Sequence, residues 1–533
     1  LRAYCGGMTA SSKNRWLALV FVSIAVSLVI VDSTIVNVAI PSIVDDIGLT
    51  STEIQWVQEA YTLVFAALLL VFGALADKYG RRLLLIIGVS VFMVSSVFAA
   101  FAGSGIELIG WRVLQGIGGA IVLPTTLSIV NATFFGKERG IAFAVWGSTI
   151  GGMVAVGPLL GGWLTADFSW RWAFGINIPF GILVIVGVLL FVMESNDAEH
   201  TRPIDWEGAI LSVITSSTLV YGLIEGRTMG WWESSEDVNL FGADWPYSIS
   251  PVAVSLGIFV VSLVWYIMHG LRRQKAGKST LIAFSLFATP SFRNGNIVAM
   301  IVSMGEFGII LALPLWLQFV RGYTAFEAGL VILALAVGSF LASGIAGGLG
   351  SRVPAVWIVR SGTLLEIVGV AGIGFAISPT ADGGAVVPWL VVYGIGVGLA
   401  TAQLTGIVLQ DVPVERSGQG SGTTSTSRQI GSALGIAVIG TTLFTSAQVS
   451  LQSALDDRGL PADASKPIVT AVIDSAGGAI PALKANPQTA DFATDAEAAL
   501  STGTSNAAYT AAGLLSVALL ASFSLGRRPR RQD

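Results

Sequence analysis

Long apolar runs recur along this chain, separated by short polar stretches that carry most of its charge. A helix that crosses a bilayer needs about 20 predominantly apolar residues. Fourteen runs meet that length: 16–40, 56–76, 83–103, 107–131, 139–164, 171–193, 206–225, 251–270, 293–320, 325–349, 355–377, 386–409, 419–446 and 505–526. None alternates with the two-residue period of a strand, so the pattern predicts an all-α integral membrane protein with fourteen transmembrane helices. The runs divide into a six-helix half at 16–193, two inserted helices at 206–270, and a second six-helix half at 293–526. Duplicated halves are a known transporter design. Residues 1–15 read as an N-terminal tail and 527–533 as a basic C-terminal tail. Two longer polar stretches stand out: 226–250, acidic and aromatic, and 447–504, rich in Ala, Ser, Asp and Thr. The second reads as a small outer cap, with short amphipathic helices such as SKPIVTAVIDSAGGAIPAL.

Composition sharpens the class. Of 533 residues, 53% are hydrophobic and 12% charged, where a soluble domain carries about 25% charged. The mean hydropathy is +0.76. Glycine occurs 63 times, as suits helices whose backbones approach closely in lipid. The lone cysteine, Cys5, excludes an intrachain disulfide, and the two histidines, His200 and His269, fall in predicted loops. No metal site, catalytic triad or Walker lysine loop is expected, hence no cofactor, no ATP and no enzyme. Residues 1–7, before Met8, read as an upstream extension or a start-site artefact, and no cleavable signal peptide is recognised.

Charge placement sets the orientation. With both termini cytoplasmic, that side collects residues 13–15, 78–82, 137–139, Arg202, 272–278, Arg293, Arg352, Arg360, Arg416 and 527–531. The opposite side holds only Arg171, Arg227, Arg321, Arg458, Lys466 and Lys484. The positive-inside rule therefore places both termini in the cytoplasm of a multi-pass inner-membrane protein.

Few charges lie inside the spans, and each needs a reason because charge at bilayer depth is costly. Asp32, in LVIVDSTIVNVAIP, lies eight residues before the outer end of its span, about 12 Å deep. Arg112, in WRVLQGIGGA, lies five residues inside the outer end of the fourth span, about 8 Å deep. An Arg there either snorkels to the interface or faces the bundle interior with a partner. Asp32 reads as a carboxylate that loads and releases a proton opposite Arg112. It could instead form a fixed pair with Arg112, or bond only to Ser33, Thr34 or Asn37. Glu306, in IVSMGEFGII, lies fourteen residues from the outer end of its span, about 21 Å deep. It reads as a cationic-substrate site or second proton site across a central cavity from Asp32; the alternative is a protonated Glu bonded within the bundle. Glu225 and Glu366 lie nearer helix ends and read as solvated or interfacial.

Several motifs carry a resemblance. GALADKYGRR at 73–82 resembles the signature between the second and third helices of the major facilitator superfamily, with Gly73, Leu75, Asp77, Gly80, Arg81 and Arg82 in place. Without the resemblance it is a basic loop turning at Gly80. The second half has GGLGSRVP at 347–354, without the Asp. WRVLQGIGGA resembles the family's R-x-x-Q-G signature, here Arg112, Gln115 and Gly116. GSTIGGMVAVGPLLGG at 147–162 resembles the antiporter signature at Gly157, Pro158, Gly161 and Gly162, with Ala144 and Met153 where the family has glycine; small-residue packing and a proline bend are its local reading. Together with DSTIVNVAIP, WRWAFGINIP and SGTTSTSRQIGSALG, these resemble the fourteen-helix drug:proton antiporters of that superfamily.

The resemblance implies proton coupling through Asp32, Arg112 and Gln115, and a conformational latch at Gly73, Asp77, Gly80, Arg81 and Arg82. Asp77 is expected at the inner N-terminus of the thirteenth span, near Ser421 and Gly422. It implies a proton-driven exporter of amphipathic, often cationic, drug-like molecules, functional as a monomer and with no nucleic-acid partner. The alternatives are a proton symporter for a polar solute and a receptor that transports nothing.

Overall fold

The structure, a computed structural model, describes residues 12–49, 51–195, 204–226, 228–235, 238–240, 243–349 and 352–525. Residues 1–7, His200, Arg202 and the basic tail at 527–533 lie outside the described residues, as do the first residues of the N-terminal tail. The first part of the chain forms α1 (Ser12–Ile47), α2 (Ser51–Tyr79), α3 (Arg81–Ala100), α4 (Gly105–Thr133), α5 (Gly136–Asp167), α6 (Arg171–Gly175) and α7 (Asn177–Phe191). Next come α8 (Trp206–Glu225) and α9 (Pro251–Lys275). The remainder forms α10 (Pro290–Leu315), α11 (Ala325–Leu349), α12 (Ala355–Ala376), α13 (Val387–Leu409), α14 (Ser417–Asp457), α15 (Ala462–Asp474), α16 (Ile480–Ala485) and α17 (Ala490–Ser522). One antiparallel ribbon, Asn239–Leu240 against Ala243–Asp244, interrupts the helices.

Among the described residues, thirteen helical segments are long and apolar enough to cross a membrane. The expected count was fourteen. The run at 139–164 corresponds to α5, a 32-residue helix that is not one of the thirteen. α5 packs against α1, α11 and α13.

Local chemistry marks the helix ends. Ser104 caps α4 by accepting from the Glu107 N–H, while the Glu107 carboxylate accepts from Gly103 N–H, a reciprocal cap. Ser250 accepts from Val252 N–H, with Pro251 at the first turn of α9. That helix ends in Arg272, Arg273 and Lys275, which complement its carbonyl end.

The expected span at 171–193 is one continuous segment, Arg171–Phe191, with Ile176 in helical conformation between α6 and α7. Trp170 and Arg171 both donate to Asp46 at the end of α1. These bonds, Arg171 first, hold the Asp46 carboxyl below its ordinary value.

α2 packs on α4, α3 on α4 and α7, and α1 on α5 and α7. α10 packs on α14 and α17, α11 on α13, and α12 on α13 and α17. Contacts of α2 and α4 with α14, and of α5 with α11 and α13, join the two groups. α8 and α9 pair with each other, and α8 leans on α2.

The cap differs from expectation. α14 continues to Asp457 and α17 begins at Ala490, so much of 447–504 extends the flanking helices. The reason is a buried stripe: Ala447, Leu451 and Leu455 recur every four residues and are buried, as are Ala493, Ala496 and Leu500 on α17. α15 and α16 close over them with Val469, Val472 and Ile480. Leu451→Asp would place a charge in this apolar joint. The expected result is trypsin cleavage after Arg458 or Lys484 about tenfold faster or more in reconstituted protein, with the rest of the bundle protected.

Candidate functional site

Asp32 is fully buried in α1, is met directly from α4 and α7, and its partners are held in turn from α2 and α3. Its Oδ2 pairs with Arg112 Nη1 of α4 at 2.5 Å. Its Oδ1 accepts from Gln115 Nε2 of α4 at 3.0 Å and from Asn177 Nδ2 of α7 at 2.8 Å. Ser96 of α3 accepts from both amides, at 2.7 Å from Gln115 and 3.1 Å from Asn177. Arg112 Nε donates to the Val57 carbonyl of α2 at 3.0 Å, and its guanidinium lies over the Tyr61 ring at 4.3 Å. Ser33 and Thr34 donate instead to backbone carbonyls of their own helix. The side chain of Asn37 lies outside the described set.

The structure thus brings Asp32, Arg112 and Gln115 together and adds Asn177, Ser96 and Tyr61, which the sequence reading did not select. Asn177 stood within WRWAFGINIP. What singles it out is its hydrogen bond to Asp32 from a fully buried position on α7.

At the other end of α2 lies Asp77, beside the start of α14. There Asp77 accepts four hydrogen bonds: from Gly418 N at 2.6 Å, Gln419 N at 2.9 Å, and Arg81 Nη2 and Nε at 2.8 and 3.3 Å. The two N–H groups belong to the first turn of α14, which has no intrahelical partner for them. They lie three residues before the expected Ser421 and Gly422, because α14 begins at Ser417. Gly80 adopts φ +113°, a conformation side chains rarely take, and turns α2 into α3. Arg81 Nη2 also donates to the Val414 carbonyl at 2.7 Å. The Arg82 N–H donates to Glu194 at 3.0 Å, and its guanidinium donates to the Leu189 carbonyl at 2.7 Å. Gly73 lets α2 touch α14, since a Cβ there would lie 2.6 Å from the Gly418 carbonyl. Two further ties were not foreseen: Asn131 of α4 to Ser417 at 2.7 Å, and Arg139 of α5 to the Leu409 carbonyl.

The helix-five motif lies where α5 meets two helices. Gly157 faces Thr34 and Val31 of α1, Gly161 faces Ile35 of α1, and Gly162 faces Phe326 of α11. Pro158 is inside α5 and lies against Gly329 of α11.

Glu306, buried on α10, accepts from Thr401 Oγ1 of α13 at 2.9 Å, and its Oε2 lies 3.6 Å from Arg428 Nη2 of α14. Its backbone carbonyl accepts from Tyr393 of α13 at 3.3 Å. These partners all belong to α13 and α14, not to the group that carries Asp32. Arg428 was missed; the signal was a lone cation inside SGTTSTSRQIGSALG. The interfacial expectation for Glu225 and Glu366 is corrected. Glu225 is buried at the end of α8 and accepts from Thr228. Glu366, the twelfth residue of the 22-residue α12, is fully buried. Position along the helix does not reveal what stands beside it, and here α13 covers Glu366.

A cavity opens between Asp77 and the α9–α10 linker, lined by Lys78, Asp205, Lys278, Arg416 and Gln419 among others. The described residues contain no cluster of His, Cys, Asp and Glu suited to a metal ion.

The sequence profile of the Major Facilitator Superfamily matches residues 22–436. The chain is 31% identical over 482 residues to the multidrug resistance protein Stp of Mycobacterium tuberculosis (strain CDC 1551 / Oshkosh), covering 88% of this chain and 84% of that protein. It is 29% identical over 445 residues to the methyl viologen resistance protein SmvA of Salmonella typhimurium (strain 14028s / SGSC 2262), covering 82% and 84%. In fold it is similar to the crystal structure of the human organic anion transporter MFSD10 (TETRAN), with a TM-score of 0.60 at 13% identity, covering 96% of this chain and 100% of that one.

The latch geometry gives a direct expectation. Asp77→Asn removes the charge facing the α14 N-terminus, and a hydrogen bond to a charged group is worth about 1.5–3 kcal/mol. In a Cys5→Ser background, a cysteine placed at the fully buried Ser421 (S421C) should then label with a maleimide about tenfold faster or more. Unchanged labelling would show that Asp77 does not hold this contact closed.

Proposed function

The chain belongs to the Major Facilitator Superfamily, and on that premise we propose that it is a proton-driven multidrug exporter. It extrudes amphipathic, often cationic, small molecules by alternating access between two six-helix halves, 16–193 and 293–526, with 206–270 inserted between them. The reading counts fourteen spans, α5 included, in the inner membrane, with both termini cytoplasmic, and the protein acting as a monomer. The names of the Stp and SmvA relatives support the drug-like substrate class, and methyl viologen is a dication. The basic residues gathered at one face support the orientation.

The observation that carries the proposal is the buried pair of Asp32 and Arg112. A proton from the outer side is accepted by an Asp32 oxygen, and the attraction to Arg112 is lost. Arg112 keeps the Val57 carbonyl, the Gln115 side-chain oxygen at 2.9 Å and the Tyr61 face. The amides of Gln115 and Asn177 lose their anionic acceptor, which loosens α1 and α7 from α4. α2 and α4 run from this cluster to the latch. Tyr61 and Asp77 are sixteen residues apart on α2, about 24 Å. Arg112 and Asn131 are nineteen apart on α4, about 28 Å. A change in how these helices are held at Asp32 is thereby felt at Asp77 and Asn131, where the basic face is tied shut. Release there opens the cytoplasmic side, and the proton leaves as substrate binds between the halves. Apolar and aromatic side chains supply most substrate contacts.

Glu306 resembles Asp32 in part: it is an acid on the half's first helix with an Arg partner, but its other donor is the Thr401 hydroxyl where Asp32 has two amides. Its partners lie within its own half, which favours a second coupling site over direct contact with substrate.

The test is gradient-driven accumulation of ethidium or methyl viologen in everted vesicles. Asp32→Asn keeps the shape but cannot exchange the proton, and should abolish accumulation while leaving membrane insertion intact. Arg112→Ala should reduce it about tenfold or more, since breaking a buried pair costs about 3–5 kcal/mol. Normal pumping by Asp32→Asn would make Asp32 purely structural. Glu306→Gln should lower transport of charged and neutral compounds alike; a loss confined to cations would move Glu306 to the substrate site.

A further inference from the structure

The second half contains a carboxylate that the exporter mechanism above leaves unused. Glu366 is fully buried in α12, and neither of its side-chain oxygens has a hydrogen-bond partner among the described residues. Its position is enforced by packing. Gly362, Glu366 and Gly369 share one face of α12, being four and three residues apart. That face is pressed onto α13: a Cβ on Gly369 would lie 2.5 Å from Tyr393 N, and one on Gly396 of α13 would lie 2.8 Å from Glu366 Cγ. The side chain therefore has no route to lipid or solvent along this face.

Its charged surroundings are few. Among the described residues, the charges that act on Glu366 are those of Glu306 on α10 and Arg428 on α14. Tyr393 on α13, also fully buried, stands under the influence of both carboxylates. On the α17 side, α12 meets Ala508, Ser505 and Tyr509 at Gly374, two turns from Glu366. Asp382, beyond the end of α12, is committed to Tyr323 and Gly384. The cluster thus holds two carboxylates and one guanidinium, and Arg428 lies on Glu306. Fully ionised, it would bury a net negative charge, which a protein interior avoids by protonation. The Asp32 cluster differs, because its one carboxylate and one guanidinium already balance.

We propose that Glu366 and Glu306 share one exchangeable proton, carried by Glu366 while Arg428 neutralises Glu306, so that this half binds a proton of its own, separate from that on Asp32. The step is simple proton transfer: one carboxylate oxygen of the pair accepts H⁺, and an O–H bond forms with no other bond broken. When the proton leaves, the pair becomes a buried anion that Arg428 alone must serve, which pulls α12 and α14 toward α10. The proposal rests on the exporter reading for its use in transport, but the proton site itself does not depend on it.

The experiment is infrared difference spectroscopy of the purified full chain in lipid nanodiscs, titrated between about pH 5 and pH 9, in an Asp32→Asn background. The read-out is the carbonyl band of a protonated carboxylic acid shielded from water. The expected result is a band that persists in that background, is lost in Glu366→Gln, and titrates at lower pH in Glu306→Gln, where Arg428 is freed to serve Glu366. Gln has the shape of a protonated Glu, so Glu366→Gln should fold. If it does not, Arg428→Gln gives the second reading: the band should persist to higher pH. Absence of the band, or its survival at full intensity in Glu366→Gln, or an unmoved titration in both Glu306→Gln and Arg428→Gln, overturns the proposal. The outcomes separate from those for the exporter. Loss of gradient-driven accumulation with the band intact sinks the transport reading alone, and accumulation without the band sinks only this one.

Discussion

The helices α1, α2, α3, α4 and α7 are tied together around one fully buried ion pair, Asp32 with Arg112. Removing one partner from a buried ion pair costs about 3–5 kcal/mol, so Asp32 has to be met on every side. Four helices besides its own contribute: α2 through the Val57 carbonyl and Tyr61, α3 through Ser96, α4 through Arg112 and Gln115, and α7 through Asn177. Hydrogen-bond satisfaction leaves little freedom in how these helices rotate, since moving any one of them leaves a buried donor or acceptor unpaired.

The same helices carry the second constraint at their other ends. Asp77 meets the free N–H groups of α14, and Asn131 and Arg139 reach Ser417 and the Leu409 carbonyl. Charged and polar ties between helix ends are easily exchanged for water when the face opens, whereas the small-residue contact at Gly73 sets how closely the faces approach. Strength at the latch is therefore electrostatic and reversible, and its geometry is steric. The proposed coupling needs both: a bond set that can be given up, and a fit that re-forms it in one register.

The two halves solve the problem of buried charge differently. In the first, one acid and one base balance, and amides complete the shell. In the second, Arg428 faces Glu306 while Glu366 stands behind it without a partner among the described residues. The close packing of α12 on α13 at Gly369 and Gly396 keeps Glu366 in place. Such an arrangement is not a stabilising device, since two carboxylates with one cation lose energy on burial unless a proton is supplied.

Hydrophobic runs and the placement of basic residues were enough to establish a multi-pass helical membrane protein, because water-free lipid forces each backbone to satisfy itself within a helix of fixed length. The rarity of charge inside those runs singled out Asp32, Arg112 and Glu306, and depth along the helix put the first two at one level. What a linear reading lacks is azimuth, the direction each side chain takes around its helix relative to neighbours far off in sequence. That is why Ser96 and Asn177, ordinary polar residues in apolar helices, went unnoticed, and why Glu366 was read as interfacial when α13 in fact covers it. It is also why the extension of α14 and α17 into the cap was not foreseen: the stripe of Ala447, Leu451 and Leu455 has meaning only once α15 and α17 lie against it. Length and polarity are properties of a segment and can be read from it. Partnership is a property of the packed bundle, set by which helix faces which, and only the tertiary structure decides it.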